Sequence, residues 1–232
     1  ARNGLAGGGG WGYTPGAGST DNSNSQYAVL GLQAASEAGV HVPATVWHNA
    51  RRYWQDQQNR DGGWGYHPGL PSYGSMTCAG LASLVITGLK RSQSQEVLTE
   101  DGIRNCGHEG TDGSVLAGIN WLANHFSVND NPLHGGQYKL YYLYGLERAG
   151  RLSGVRFFGR HDWYREGAEE LVTTQDQLSG YWRGNAGEQD PVLGTSFALL
   201  FLAKGRAPVL VNKLRHPPGR DWNNDPDDIA NL

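Results

Sequence analysis

Two nearly identical octapeptides restrict the fold of this chain more than any other feature of its sequence. Gly-Gly-Trp-Gly-Tyr-Thr-Pro-Gly occupies positions 9–16, and Gly-Gly-Trp-Gly-Tyr-His-Pro-Gly occupies positions 62–69. An apolar segment rich in small residues follows each copy. The tryptophans of the two copies, Trp11 and Trp64, lie 53 positions apart, which is long enough for a turn and two helices. The sequence therefore predicts an array of helical hairpins in which each repeat packs on its neighbours.

The segments between the turns predict two kinds of helix. Segments that are apolar or small nearly all round predict buried inner helices at residues 26–38, 76–89, 138–149 and 195–204, the first ending before Gly39 and the third before Gly150. Segments with apolar residues at three- and four-residue steps predict half-exposed outer helices, one that begins at Pro43 and others at 115–126 and 161–175. Residues 90–114 are predicted to be an insertion.

A helix that is apolar all round needs neighbours on every side, and an inner ring wrapped by an outer ring supplies them. We therefore expect an all-α fold, an α/α toroid of helical hairpins, partial or complete, with Gly- and Trp-rich turns.

Residues 1–205 form this repeat domain, and residues 206–232 form a proline-rich tail. The tail finishes with a typical helix start, Asp225-Pro226-Asp227-Asp228, and the chain begins without Met. We therefore expect a piece of a longer protein, in which a further segment follows.

Composition excludes some classes of partner. The net charge of −3 on 232 residues, without a basic stripe, argues against nucleic-acid binding. No run of 18 apolar residues exists, so the sequence predicts no transmembrane segment. Cys78 and Cys106 are too few for a disulfide framework, and they leave the compartment undetermined.

Several stretches resemble known toroid families. Residues 58–64, Gln-Asn-Arg-Asp-Gly-Gly-Trp, and 175–182, Gln-Asp-Gln-Leu-Ser-Gly-Tyr-Trp, resemble the glutamine-tryptophan repeats of squalene and hopene cyclases. Residues 73–81 resemble an inner-helix start in protein prenyltransferase β subunits, and 141–164 is similar to uncharacterised bacterial proteins with prenyltransferase and squalene-oxidase repeats. The resemblance covers roughly residues 8–205 and implies the α/α toroid. Because such repeats are scaffold, it says little about a reaction.

In the cyclases, the resemblance implies an Asp-x-Asp-Asp motif whose protonated aspartic acid attacks an alkene inside an aromatic cavity. The corresponding place in this chain holds Asp21 without acidic neighbours, so Asp21 is the candidate catalytic acid. The alternative interpretation is that Asp21 caps the helix that follows it. The literal motif at residues 225–228 lies beyond the last repeat and is interpreted as a helix cap.

The sequence lacks the residues needed for two other reactions that related toroid proteins carry out. Prenyltransferases hold zinc with an Asp-x-Cys pair and a later His. In this chain the position of that aspartate is taken by Met76 before Cys78 and by Arg104 before Cys106, so neither cysteine has the zinc-binding pattern. Cys106, His108 and the nearby Asp112 are residue types that bind zinc, but their spacing does not indicate a set of four tetrahedral ligands. Residues 186–189, Ala-Gly-Glu-Gln, resemble the complement thioester motif with Ala186 in place of the cysteine. The sequence therefore predicts no metal and no cofactor.

Aromatic residues at turns and inner-helix starts are the candidates for lining a central cavity. They are Tyr66, Tyr73, Tyr138, Tyr141, His67, Trp11 and Trp64. For the tryptophans, the alternative is a structural role in fastening hairpins together. The leading hypothesis is a binding or scaffold module that takes an apolar or isoprenoid ligand or other segments of its own longer chain. The alternatives are an isoprenoid cyclase or prenyl-transferring enzyme, and a polysaccharide-acting toroid enzyme.

Overall fold

The computed structural model describes residues 8–14, 20–93, 97–99, 102–104 and 112–204. Within them the chain is helical apart from two short antiparallel ribbons, and the predicted all-α class is confirmed. The helices are α1 Asn22–Glu37, α2 Ala44–Asp56, α3 Gly74–Gln93, α4 Gly113–Asn124, α5 Lys139–Ser153, α6 Trp163–Thr174 and α7 Pro191–Lys204. The ribbons pair β1 Val97–Thr99 with β2 Gly102–Arg104, and β3 Phe157–Phe158 with β4 His161–Asp162.

The helices alternate between an inner row and an outer layer. The inner row runs α1, α3, α5, α7, each packed against the next. The outer helices α2 and α4 pack against α3, and α6 packs against both α5 and α7. Inner and outer helices thus alternate along the chain in the predicted order, and their closure into a toroid stays a prediction.

Burial differs along the inner row. Helices α3 and α5 are buried nearly all round, as predicted. The same prediction was wrong for α7, where Val192 is 73% exposed and Leu193, Leu199 and Leu200 are exposed as well. It was wrong for most of α1 too. Both helices lie at the ends of the row, so within the described residues each has an inner neighbour on one side only.

Two of the glycine-rich turns are fastened by their tryptophans, Trp64 and Trp182, in the same pattern. The backbone N–H of Trp64 donates to Thr77 Oγ1 at 3.2 Å, and that of Trp182 donates to Thr195 Oγ1 at the same distance. The indole N–H of Trp64 donates to the carbonyl of Trp54, and that of Trp182 to the carbonyl of Leu171. The sequence repeat is therefore also a repeat of hydrogen bonds.

Local chemistry explains where two inner helices begin. Helix α1 begins at Asn22, four residues before the predicted start, because the Asp21 carboxylate accepts a hydrogen bond from Asn24 N–H at 2.8 Å. Helix α7 begins at Pro191 rather than Thr195, with Asp190 accepting from the N–H of Val192.

The predicted end of the third inner helix was wrong. Helix α5 passes through Gly150 and stops at Ser153, followed by Gly154 in the left-handed conformation. Gly150 stays helical because the Trp163 indole packs on it, where an added Cβ would lie 2.3 Å from the ring. Close packing, and not chain termination, is the reason for a glycine at 150.

The predicted insertion is shorter than expected. Helix α3 continues to Gln93, and α4 begins at Gly113, capped by Asp112. The tail from 206 onward, including Asp225–Asp228, and the pair Cys106 and His108 lie outside the described residues. In the described part of the chain, no helix is both long and apolar enough to cross a bilayer.

Candidate functional site

A cavity of about 740 Å³ opens where the N-terminal ends of the four inner helices meet. The turns that precede these helices complete its wall. Its lining is dominated by aromatic and aliphatic side chains: Tyr13, Tyr27, Tyr66, Leu70, Pro71, Tyr73, Met76, Leu133, His134, Tyr138, Tyr141, Leu193 and Phe197, with Ser23, Ser72, Ser75, Gly187 and Glu188.

Tyr141 joins three inner helices at the centre of this wall. From α5, its ring packs on Tyr27 of α1, with ring centroids 6.4 Å apart, and on Phe197 of α7, 5.7 Å apart. Its hydroxyl oxygen accepts a hydrogen bond from the Gln26 side-chain amide and lies 3.4 Å from Ser23 Oγ. Burial raises the pKa of Tyr141 far above its ordinary value, so the phenol stays protonated.

A second group of rings forms another part of the wall. The imidazole of His134 stacks on Tyr73 with ring centroids 4.3 Å apart, and Tyr138 lies 6.2 Å away on a nearly parallel plane. Both tyrosine rings are stacked with His134, and all three residues line the cavity.

The two repeated octapeptides meet at the cavity. Tyr13 and Tyr66, which hold the same position in their turns, bring their hydroxyl oxygens to 3.2 Å from one another. Burial, the hydrogen bond with Tyr13 and the nearby Asp21 charge raise the pKa of Tyr66. The two copies of the repeat thus contribute one pair of equivalent tyrosines to the lining.

The backbone around the cavity adopts uncommon conformations. The non-glycine residues with positive φ in the described chain are Leu133 (60°), Tyr138 (55°) and Ala186 (49°). The first two line the cavity, and Ala186 precedes the lining residue Gly187. Left-handed conformations of such residues are disfavoured by roughly 1–3 kcal/mol and concentrate at functional sites.

Glu188 is the carboxylate of the wall. It is almost fully buried, and its two oxygens accept the backbone N–H groups of Leu140 and Tyr141, at 3.2 and 2.7 Å, in the first turn of α5. Burial raises the pKa of Glu188, while these two bonds and the nearby Lys139 oppose the rise. This carboxylate therefore fixes the helix that carries Tyr141.

The structure places the predicted cavity residues in two groups. Tyr66, Tyr73, Tyr138 and Tyr141 all line the cavity. Trp11 and Trp64 lie in the core instead, in separate hydrophobic clusters. Their indoles are held there by the outer helix α2, so they have no face toward the cavity. His67 also lies outside the lining, with Nδ1 3.0 Å from the carbonyl oxygen of Thr20.

Asp21, the candidate acid, is engaged in local structure. One carboxylate oxygen accepts the backbone N–H of Asn24 and the other accepts its side-chain amide, both at 2.8 Å. Its own N–H donates to the carbonyl of Trp11. Asp21 is buried and is not part of the cavity lining. Asp112 is likewise engaged, as the cap of α4 and as the partner of Arg51.

Several cavity residues were missed by the sequence reasoning. Glu188 was considered only for its likeness to a thioester motif, and Phe197 only as part of an apolar helix. Tyr27 and His134 reach the site through the packing of neighbouring repeats, which no local pattern marks.

The chain was compared with families of known proteins. No protein-family model matches the sequence. A search of curated proteins found no match either. The site is therefore interpreted from its own residues.

Proposed function

We propose that this protein is a binding module that holds an apolar organic ligand in its tyrosine-lined cavity. In this proposal the scaffold is an α/α toroid of the cyclase and prenyltransferase type, in keeping with the resemblance of its turns. The observation that carries the proposal is the cavity itself, because about 740 Å³ of mostly apolar, aromatic-lined space is the usual size and character of a small-molecule site.

The state of Asp21 supports binding over cyclase chemistry. A carbocation cascade needs a strong carboxylic acid aimed into a dry cavity. Asp21 instead holds the first turn of α1 with both oxygens, outside the cavity wall. An isoprenoid cyclase or prenyl-transferring enzyme remains the alternative of a different class.

A polysaccharide-acting enzyme has weaker support. Such a site needs a cluster of Tyr and His with Arg or Asn. The described lining contains the first two types but neither of the last two.

The proposal can be tested with Nile red, a neutral apolar dye whose fluorescence rises in apolar surroundings. We expect the protein to bind the dye and Leu193→Trp, which fills the cavity from α7, to weaken binding by roughly tenfold or more, about 1.4 kcal/mol. Leu199→Trp is the matched control, since it places the same residue on the exposed face of the same helix. Circular dichroism establishes that both variants fold. Absence of dye binding, or equal weakening by the two variants, would contradict the proposal.

A further inference from the structure

The charge around the cavity is one-sided. Among the described residues, no lysine or arginine lines it, whereas Glu188 does. Two cations lie close by but are paired with carboxylates. Lys139 Nζ is 2.5 Å from Glu170, and the Arg148 guanidinium is 3.6 Å from Glu147 and stands over the Tyr144 ring.

The wall offers aromatic faces to whatever enters. Tyr27 and Tyr138 are 44% and 43% exposed, and Tyr66, Tyr73, Tyr141 and Phe197 are partly exposed. The face of an aromatic ring carries negative potential and attracts a cation within about 6 Å of its centroid. A ring of such faces without a lysine or arginine favours a positively charged guest.

Two serine hydroxyls and the carboxylate of the wall already have hydrogen-bond partners outside the cavity space. Ser72 Oγ donates to Asp61, Ser75 Oγ accepts from the Asn131 amide, and both oxygens of Glu188 accept backbone N–H groups. A sugar would need these groups to pair with its hydroxyls. Apart from these three groups, the wall presents aromatic rings, the hydroxyls of Tyr27, Tyr73 and Tyr138, and aliphatic carbon.

From this arrangement we propose that the cavity selects an amphiphilic ammonium cation, whose charged head lies against the tyrosine faces and whose alkyl part lies against Leu70, Met76 and Leu193. The inference rests on the proposed function, since it names the class of ligand for the same cavity. It adds a preference for one sign of charge.

The ionisation of the tyrosines agrees with this preference. Burial raises the pKa of Tyr73, and the neighbouring Tyr138 and the Asp21 charge raise it further. Burial also raises the pKa of Tyr27, to about 12. Burial opposes a charge of either sign, and Arg148 partly opposes the rise at Tyr27, whereas the negative charge of Asp21 near Tyr73 specifically opposes an anionic ligand.

The test compares three eight-carbon compounds that differ in head group: octyltrimethylammonium, octanol and octanesulfonate. Their affinities are measured by titration calorimetry at about pH 8, at which exposed histidines are generally neutral. Cation–π attraction predicts that the ammonium binds about 5- to 30-fold more tightly than the alcohol, with the sulfonate weakest. Equal affinity of ammonium and alcohol, or tighter binding of either other compound, overturns the inference but leaves the proposed function standing. Failure of all three compounds and of Nile red to bind overturns both.

Variants locate the effect. Tyr138→Leu keeps an apolar wall but removes a ring face, so it should weaken ammonium binding several-fold and leave octanol binding unchanged. Tyr181→Leu is the matched control, because Tyr181 is similarly exposed, at 48%, and lies outside the cavity. Tyr27→Leu serves as a second cavity variant if circular dichroism shows that Tyr138→Leu does not fold. An unchanged preference for the cation in a folded cavity variant would overturn the inference.

Discussion

The indole N–H of Trp64 donates a 2.8 Å hydrogen bond to the main-chain carbonyl of Trp54 and so ties the glycine-rich turn to the last helical turns of α2. The Trp64 side chain is fully buried. We expect Trp64→Ala to lower the free energy of unfolding by about 3–5 kcal/mol, because it empties a large volume in the core. Urea denaturation followed by far-ultraviolet circular dichroism measures the loss. Tyr181→Ala, at an exposed position, should leave the midpoint nearly unchanged.

The hydroxyl of Thr77 is predicted to matter as an acceptor for the turn. It receives the backbone N–H of Trp64 in a buried site, so Thr77→Val leaves that N–H without its partner and should cost about 1–3 kcal/mol in unfolding free energy. Thr87→Val is a close control, since Thr87 is equally buried on α3 but its hydroxyl only donates, to the carbonyls of Ser83 and Leu84 in its own helix. Equal losses in the two variants, measured by chemical denaturation, would refute the role of the Thr77 oxygen.

Two glycine-to-alanine substitutions on inner helices distinguish the effect of close packing on stability from the effect of helix propensity. An added Cβ at Gly80 would lie 2.4 Å from the Trp64 ring, whereas nothing lies within 4 Å of one at Gly31. Gly80→Ala should therefore destabilise the protein by about 1–3 kcal/mol. Gly31→Ala should stabilise it by about 0.5–1 kcal/mol through improved helix propensity. Thermal unfolding midpoints that shift in the same direction would contradict this prediction.

The carboxylate of Asp61 is predicted to make stability depend on pH. Burial raises its pKa, but hydrogen bonds from Gly63, Ser72 and Trp121 outweigh that effect and hold the pKa below its ordinary value of 3.8. Because the folded-state pKa is the lower one, the ionised group stabilises the fold above pH 3.8, and this stabilisation is lost as the pH falls through the folded-state pKa.

The measurement for Asp61 is the denaturation midpoint as a function of pH. We expect Asp61→Asn to be less stable than the parent protein at neutral pH and the difference to shrink below pH 3.8. Asp56→Asn is the control, because Asp56 is an exposed carboxylate at the unfavourable C-terminal end of α2. A difference for Asp61→Asn that is independent of pH would show that the loss comes from shape and not from charge.

The engagement of Asp21 leads to a prediction about activity. We expect the purified protein to give no product with squalene-like substrates and to transfer no prenyl group to thiols, with or without added zinc. Product analysis by mass spectrometry checks this. Turnover that disappears in Asp21→Asn, a variant that keeps a capping side chain, would restore the enzyme hypothesis.

Local chemistry made part of this structure predictable. Asp21 precedes a small-residue segment, and the prediction that it caps the helix is confirmed. The similar segments 58–64 and 175–182 predicted matching turns, and Trp64 and Trp182 at their ends make matching hydrogen bonds. Such features depend on residues a few positions apart, or on a comparison of one repeat with another.

The remainder depends on contacts between distant segments. Gly150 and Gly154 are equally good helix stops by composition, and only the packing of Trp163 on Gly150 decides between them. Tyr141 reaches Gln26 across 115 positions, and Glu188 reaches Tyr141 across 47. Neither pairing leaves a mark in the sequence near either residue, so these contacts could not be predicted, although Tyr141 itself was among the predicted lining residues.

The left-handed backbone at Tyr138 has a thermodynamic consequence for any guest of the cavity. This conformation of the main chain positions the Tyr138 ring, and hydrogen bonds to Glu188 fix the turn of α5 that follows. Side chains that are already ordered lose little rotational freedom when a ligand arrives, and each one spared contributes about 0.5–1.5 kcal/mol to affinity. If the proposed function holds, recognition at this wall is preorganised, with much of its entropic cost already met when the chain folds.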